Sequence, residues 1–521
     1  MAERLPVVYV RGYAGPTSGI DKQVDDPFYG FNDGATHVRV DGDGVPQFYQ
    51  FESPLLRLMI DEGYRLLVRG GQRAYLQSQG EGQVPWHSIW VHRFYDYAAT
   101  TFGTSITKSP EGFDLEKAAV RLYDFVQLIR AKTGAPRVHL VAHSMGGLVC
   151  RCMIQKVCCE HDEAGKPRAS GKDLVDKLFT LGSPHGGIAV DVGGGLVDWL
   201  METFGPNGSD IFAPAKMYGY LTPGASRGDR PHDDAWRPNV IPADAFDIGN
   251  VFCVIGTDAA DYGLVEKAIG PRSDGLVHVD NAYVKDAHRA FVHRSHSGRY
   301  GLVNSEEGYQ NLRRFLFGRY QANVELCGLS LPAQREDDAR VWQADVRLTV
   351  RGLPIVMHEQ LAAHYCPIQL NAEARQHSDS ADTPVPLATV FLLDATQFHG
   401  YENGSPPPRS RYTLNLRVFH LAEQNGVFFW QHHLEQVADW EDVLIVDIGR
   451  RDDEDVSTLR AWAAWNSKVP GAIDAHDPIT QDDRAFTPVG EALRCDIALP
   501  EVARPILGDR AVLRLTVARR D

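Results

Sequence analysis

Four short runs in the first half of the chain, LPVVYV (5–10), RVHLVA (137–142), KLFTLG (177–182) and VFCVIG (251–256), are apolar at most positions and show no regular polar alternate. Such strands belong in a sheet buried on both faces. SIWVHRFY (88–95) is a fifth candidate of the same kind. Between them lie stretches with helical spacing. From 110 to 132, Leu115, Ala118, Ala119, Leu122, Phe125, Val126 and Ile129 recur at the 3.6-residue period. Ser109 is the expected cap of that helix, Pro110 its first residue and Gly134 its stop. Further helices are expected over 53–64, from about Met145 to Cys159, and from about Ser305 to Phe317. Strands that alternate with helices of this length predict an α/β fold, with a mostly parallel sheet flanked by helices.

The rhythm changes beyond about residue 322. ARVWQADVRLTV, PLATVFLLDA, RYTLNLRVFHL, DVLIVDIG and RAVLRLTV read as strands, with the alternation of sheets that have one wet face. At 521 residues the chain is long enough for two or three domains. The expected division is an α/β domain over 1–321 and an additional C-terminal β-rich, sandwich-like domain over 322–521. Within the first, residues 14–50 and about 186–248 interrupt the pattern, and long excursions of this sort usually pass over a binding face.

The formal net charge of −15 and the absence of a basic block argue against a nucleic-acid partner. No stretch reaches the roughly 18 apolar residues of a membrane span. The N-terminal apolar run is too short for a secretory signal, so a cytoplasmic location is expected. Of the eight cysteines, Cys150, Cys152, Cys158 and Cys159 crowd one helix. Cys150 and Cys152 would face different sides of it, so packed thiols are expected and no zinc site. His432, His433 and Glu435 in WQHHLEQ have no fourth ligand at a useful spacing, and no metal or cofactor is expected.

Chemistry enters at VHLVAHSMGG (138–147), where an apolar strand runs into a serine and on into a helix. A G-x-S-x-G elbow needs small residues two before and two after the serine, because strand and helix approach closely across a strained turn. Ala142 and Gly146 occupy those positions, with Gly147 next. Ser144 is therefore the candidate nucleophile. His143 should pack beneath the turn, pointing away from the serine hydroxyl. A base is expected late in the chain, after an acid. Asp274, in the turn pair Asp274-Gly275, is the acid candidate, and His278, His288, His293 and His296 follow it.

VVYVRGYAG, VAHSMGGLV, TLGSPHGG and SDGLV together resemble the α/β-hydrolase superfamily, most closely its lipase and carboxylesterase branch, over roughly residues 5–318. The resemblance implies Asp274 as the acid and a base a little over twenty residues on. His296, 22 residues on and ahead of the last helix, fits it best, with His293 as the alternative base. It also implies an oxyanion hole from the backbone N–H groups of Met145 and of Tyr13, although Arg11 replaces the usual histidine of that loop. Ser183 lacks a helix start and reads as a turn, and His185 as part of the substrate pocket. Relatives that hold calcium carry an aspartate two residues after the base; Gly298 stands there, so calcium is not implied despite Asp280 and Asp286.

The expectation is a serine esterase acting through an acyl-enzyme on lipid-like or medium to long acyl esters. Trp199, Leu200 and Phe204, in GGGLVDWLMETFG, are its expected lid and pocket residues, with a permanently packed helix as the alternative. Its partner is a small-molecule or lipid ester. Transient contact with a membrane surface and a protein partner on the C-terminal domain are compatible with this reading. Amide or thioester hydrolysis and acyl transfer would use the same three residues. A non-catalytic binding protein on a hydrolase fold is the reading from a different class.

Overall fold

The computed structural model describes residues 4–12, 37–40, 46–49, 53–68, 71–92, 94, 114–188, 209–259, 271–296, 301–332, 340–371, 383–393, 409–422, 438–449, 460–469 and 483–520. The chain divides into two compact units, Met1–Arg289 with His293–Leu312, and Ala290–Val292 with Arg313–Asp521.

In chain order the first part carries strands β1 (Val7–Val10), β2 (His37–Val40), β3 (Pro46–Tyr49), β4 (Ile89–His92), β5 (Val138–His143), β6 (Val175–Leu181), β7 (Val251–Gly256) and β8 (His288–Val292). Its helices are α1 (Ser53–Glu62), α2 (Gln72–Ser78), α3 (Leu115–Thr133), α4 (Met145–Gln155), α5 (Gly171–Leu174), α6 (Pro214–Leu221) and α7 (Glu306–Phe317). Among the described residues β2 and β3 pair only with each other, and the rest form a six-stranded sheet in the order β4-β1-β5-β6-β7-β8. The pairs β1–β4, β1–β5, β5–β6 and β6–β7 are parallel. Every residue of β1, β4, β5 and β7 is buried, as continuous apolar runs require.

The strand order reverses between β1 and β5. Ligands of open parallel sheets bind in the crevice where the strand order reverses, beyond the carboxyl ends of the strands. Val10 pairs with Ala142, so the segments that leave β1 and β5 emerge side by side at that point. Two helices cover this region. In α3 the buried positions include all seven apolar residues of the expected period. Its start differs from expectation: Asp114, not Ser109, is the cap, and its side chain accepts the Lys117 N–H at 3.0 Å. Ser109 and Pro110 lie outside the described residues. Helix α4 is buried along all its residues, so it is the central helix of the unit.

The insertion after β6 is described again from Ser209. From there it is not a loose flap. Phe212, Met217, Tyr220, Leu221, Ile241 and Phe246 join the hydrophobic core that also holds α4. Two cations at the end of α4 fasten it. The fully buried Arg151 donates to the carbonyls of His185 at 3.0 Å and Val240 at 3.0 Å, and to Gln155 Oε1 at 2.8 Å. Lys156 Nζ donates to the carbonyls of Gly219 and Ala225, each at 2.7 Å, and to Glu116 at 2.8 Å. Burial without a carboxylate bonded to it pushes the Arg151 guanidinium down to about 10.

The second part is all antiparallel. Its strands are β9 (Tyr320–Cys327), β10 (Arg340–Val350), β11 (Val356–Gln360), β12 (Ile368–Gln369), β13 (Val385–Leu392), β14 (Arg409–Ala422), β15 (Trp440–Gly449), β16 (Arg460–Trp465), β17 (Asp483–Ala485), β18 (Thr487–Val489), β19 (Ala492–Ala498) and β20 (Val512–Arg519). Among the described residues they form a seven-stranded sheet, β11-β10-β14-β15-β16-β17 with β12 on β10, and a five-stranded sheet, β13-β9-β20-β19-β18. Their inward residues, among them Val324, Leu326, Leu414, Leu416, Leu513 and Leu515, make one core, which is the organisation of a β-sandwich. On the larger sheet the buried Asp447 takes a two-pronged ion pair from Arg411, at 2.6 and 2.7 Å.

All eight cysteines are free thiols, and Cys159 is the exposed one. Among the described residues no group of three or more His, Cys, Asp or Glu side chains is placed to hold a metal ion. No helix of the described residues is long and apolar enough to cross a membrane.

Candidate active site

Ser144 stands between the last residue of β5 and the first of α4, with φ 52° and ψ −127°. A non-glycine residue rarely adopts a positive φ, and such strain persists only where the surroundings fix it. Here the Ser144 N–H donates to the Leu181 carbonyl at 2.9 Å, which ties the turn to β6. The close approach expected of the elbow is real. A Cβ on Gly146 would run into the Val10 carbonyl oxygen.

His296 Nε2 lies 2.9 Å from Ser144 Oγ, and His296 Nδ1 lies 2.8 Å from Asp274 Oδ2. Asp274 is fully buried and His296 nearly so. The carboxylate can only accept, so Nδ1 carries the proton and Nε2 is left to accept the serine O–H. The other carboxylate oxygen, Oδ1, accepts the N–H groups of Leu276 at 3.0 Å and Val277 at 2.7 Å. The His296 N–H also donates to the Asp274 carbonyl at 2.8 Å, so these two loops are joined by main chain as well as side chain.

The structure thus brings Ser144, His296 and Asp274 together across three loops. It does not bring His293 to them: that side chain is exposed and meets Thr257 Oγ1 at 3.3 Å. His278 caps a short turn through Asp280, and His288 begins β8. Met145 is the first residue of α4, where backbone N–H groups have no intrahelical acceptor. Tyr13, Trp199, Leu200 and Phe204 lie outside the described residues, as do His432, His433 and Glu435.

His185 is fully buried, with Nε2 at 3.0 Å from Thr180 Oγ1. Burial, and then the charge of Arg151, holds its imidazole well below the usual histidine range. Ser183 is equally buried, facing Gly147. His143, one residue before the serine, donates from Nε2 to the His296 carbonyl at 3.0 Å. Burial first, and then the neighbouring His296, pushes the His143 imidazole down to about 3, which keeps it neutral.

Two contacts at the site go beyond the motif: the bond from His143 to main chain 153 residues away, and the packing of Gly12 on Ser144. A Cβ on Gly12 would lie 2.8 Å from Ser144 Cβ and 2.9 Å from His143 Nδ1. The signal that could have found Gly12 was its place in the first loop after β1, beside the strand-order reversal.

A parallel sheet in this order, with a serine at a strained strand-to-helix turn at its carboxyl edge, is the α/β-hydrolase fold. Residues 90–200, which run from β4 through the elbow and beyond β6, match the family of class 2 lipases. That match supports a hydrolase. No curated protein sequence matches the chain. Similar solved structures include a gene product of Listeria innocua, with 14% identity, covering 60% of this chain and 94% of that one at a TM-score of 0.25. A protein described as a cell surface hydrolase from Lactobacillus plantarum is 12% identical, over 61% of this chain and 92% of its own, at a TM-score of 0.26. The 2-hydroxy-6-oxo-6-phenylhexa-2,4-dienoate hydrolase of a Rhodococcus strain is 13% identical, over 60% and 90%, at a TM-score of 0.23.

Proposed function

We propose that the chain is a serine hydrolase of carboxylic esters that works through an acyl-enzyme. The observation that carries this reading is the continuous path from Ser144 Oγ to His296 Nε2 to Asp274, at 2.9 and 2.8 Å. In the proposed cycle His296 takes the serine proton as Oγ attacks the ester carbonyl. Asp274 holds the imidazole in the required tautomer and stabilises the imidazolium that forms. The tetrahedral oxyanion is met by the Met145 N–H at the helix start, and Tyr13 is the proposed second donor. The alcohol leaves with the proton from His296. Water, deprotonated by the same imidazole, then releases the acid and restores Ser144.

The proposed substrates are lipid-like or medium to long acyl esters. The apolar stretch GGGLVDWLMETFG within the insertion and the class 2 lipase match support that choice. A fluorophosphonate probe tests the chemistry: it should label the wild type and not Ser144→Ala. A panel of p-nitrophenyl esters of rising chain length tests the substrate. No labelling of folded wild type would defeat the serine mechanism. Rates that fall steadily beyond acetate would defeat the acyl-length assignment.

A further inference from the structure

His143 has no place in the proton path just described, yet it is the side chain that touches the base from behind. Its Nε2 meets the main-chain carbonyl of His296 at 3.0 Å, and the two rings lie 5.1 Å apart at 40°. A carbonyl can only accept, so His143 Nε2 carries the hydrogen. Its other nitrogen, Nδ1, is turned towards Gly12. Both rings are buried. The loop carrying His296 follows β8, and its main chain is also held by the His296 N–H to the Asp274 carbonyl and by the Ser295 carbonyl to the Leu302 N–H. The peptide units on either side of the His296 α-carbon are therefore both pinned, one by the acid's carbonyl and one by the imidazole that precedes the nucleophile.

We infer that His143 is a positioning residue: by donating to the His296 carbonyl it sets the orientation of the His296 ring between Asp274 and Ser144. The inference rests on the proposed serine-hydrolase reading for the role of His296 as base. The contact also links the elbow to the base loop, because β5 ends at His143 and the nucleophile is the next residue. Displacement of the elbow would move nucleophile and base together. A neutral imidazole is needed for this, since a charge buried beside an imidazolium forming on His296 would oppose it. Burial, the His296 imidazole and Arg11, on the loop after β1, act against protonation of His143, and together they outweigh the bond to the His296 carbonyl, which favours it.

The test compares His143→Gln, whose amide nitrogen reaches about as far as Nε2 and can donate, with His143→Phe, which keeps the bulk and cannot. His143→Asn, a donor too short to reach, serves as the second loss variant where Phe does not fold. The first readout is the far-downfield proton of the His296 Nδ1–H bonded to Asp274, assigned by its loss in His296→Ala. The second is kcat on the best ester of the panel. Phe and Asn should lose or broaden the signal and lower kcat roughly a hundred-fold, the scale of a misplaced catalytic group, with KM little changed. Gln should keep the signal and recover most of the rate. A wild type without that signal, or a folded Phe variant that keeps both signal and rate, overturns the assignment. A wild type that cleaves no ester while the signal follows this pattern removes the proposed reaction and leaves the positioning role standing.

Discussion

The α-carbon of Gly12 faces Ser144 so closely that a Cβ there would stand 2.8 Å from Ser144 Cβ. The His143 carbonyl oxygen would lie at 3.2 Å, and neither neighbour is the free end of a flexible side chain. Gly12→Ala must therefore push the elbow or the loop after β1. Overpacking of this kind costs about 1–3 kcal/mol. A lower melting temperature and a kcat reduced roughly ten- to a hundred-fold are expected, from displacement of the attacking oxygen. Melting curves and single-turnover kinetics decide; an alanine variant with wild-type rates would show that the loop yields without cost.

Replacing the acid tests the tautomer argument. In Asp274→Asn the amide can donate to His296 Nδ1, which would put the ring proton on Nε2 and leave the serine without an acceptor. A loss of about 10⁴-fold in kcat is expected, with the fold preserved. His293→Asn, 3.3 Å from Thr257 and apart from the cluster, should change the rate by less than about three-fold, as surface substitutions away from such features do. Equal losses in the two variants would refute the assignment of the base.

Buried neutral histidines make the protein acid-sensitive. Burial pushes His92 and His143 each down to about 3, and holds His185 below its usual range. Between about 6.5 and 3 the unfolded chain binds a proton at His92 and at His143 that the folded one does not, so their stability contribution is complete above the unfolded value and is lost as pH falls. One such group accounts for about 2 kcal/mol between pH 7 and 5. His92 bonds to the Ala118 carbonyl at 3.2 Å, a contact Gln can replace. Urea unfolding at the two pH values should show a smaller acid loss in His92→Gln, by that amount. An unchanged loss would mean that His92 is protonated in the folded protein.

In the β-sandwich, Asp447→Ala should be among the costlier single changes. It strands the Arg411 guanidinium against a sheet where Asp447 is 1% exposed. Breaking one side of a buried pair costs about 3–5 kcal/mol, whereas replacing both sides with apolar groups can be neutral. The double variant Arg411→Met, Asp447→Leu is expected to recover most of the loss in chemical denaturation. A double variant no better than the single would place the cost in packing rather than charge.

The parts legible in the sequence are those whose cause is local. VFCVIG is a strand with the expected bounds because six buried apolar residues leave no other choice. The seven-point period of α3 located its buried face, but not its start, since Ser109-Pro110 and Asp114 are both acceptable openings and only the observed cap decides. Helix α2, QRAYLQS, was not expected at all: seven residues with Leu76 and Gln72 buried give no measurable period. Strand β9 is not among the expected strands, although Ala322, Val324 and Leu326 alternate inward. In the site, residue types and their order were visible as a pattern. The bond from His143 to the His296 carbonyl joins positions 153 residues apart and leaves no trace in spacing.

The two cations of α4 make the roof over that helix hard to transplant. Arg151 and Lys156 have given their hydrogens to four carbonyls, three of them in the second half of the insertion or at its closing end and one at its opening, His185. A shortened chain lacking residues 209–248 would take the Val240 carbonyl from Arg151 and both carbonyls from Lys156, so excision and chimaera building carry a penalty set by two side chains outside the excised piece. A minimal unit cut at those bounds would be helped by apolar replacements at both positions. A roof grafted from another hydrolase has to arrive with its carbonyls already in register.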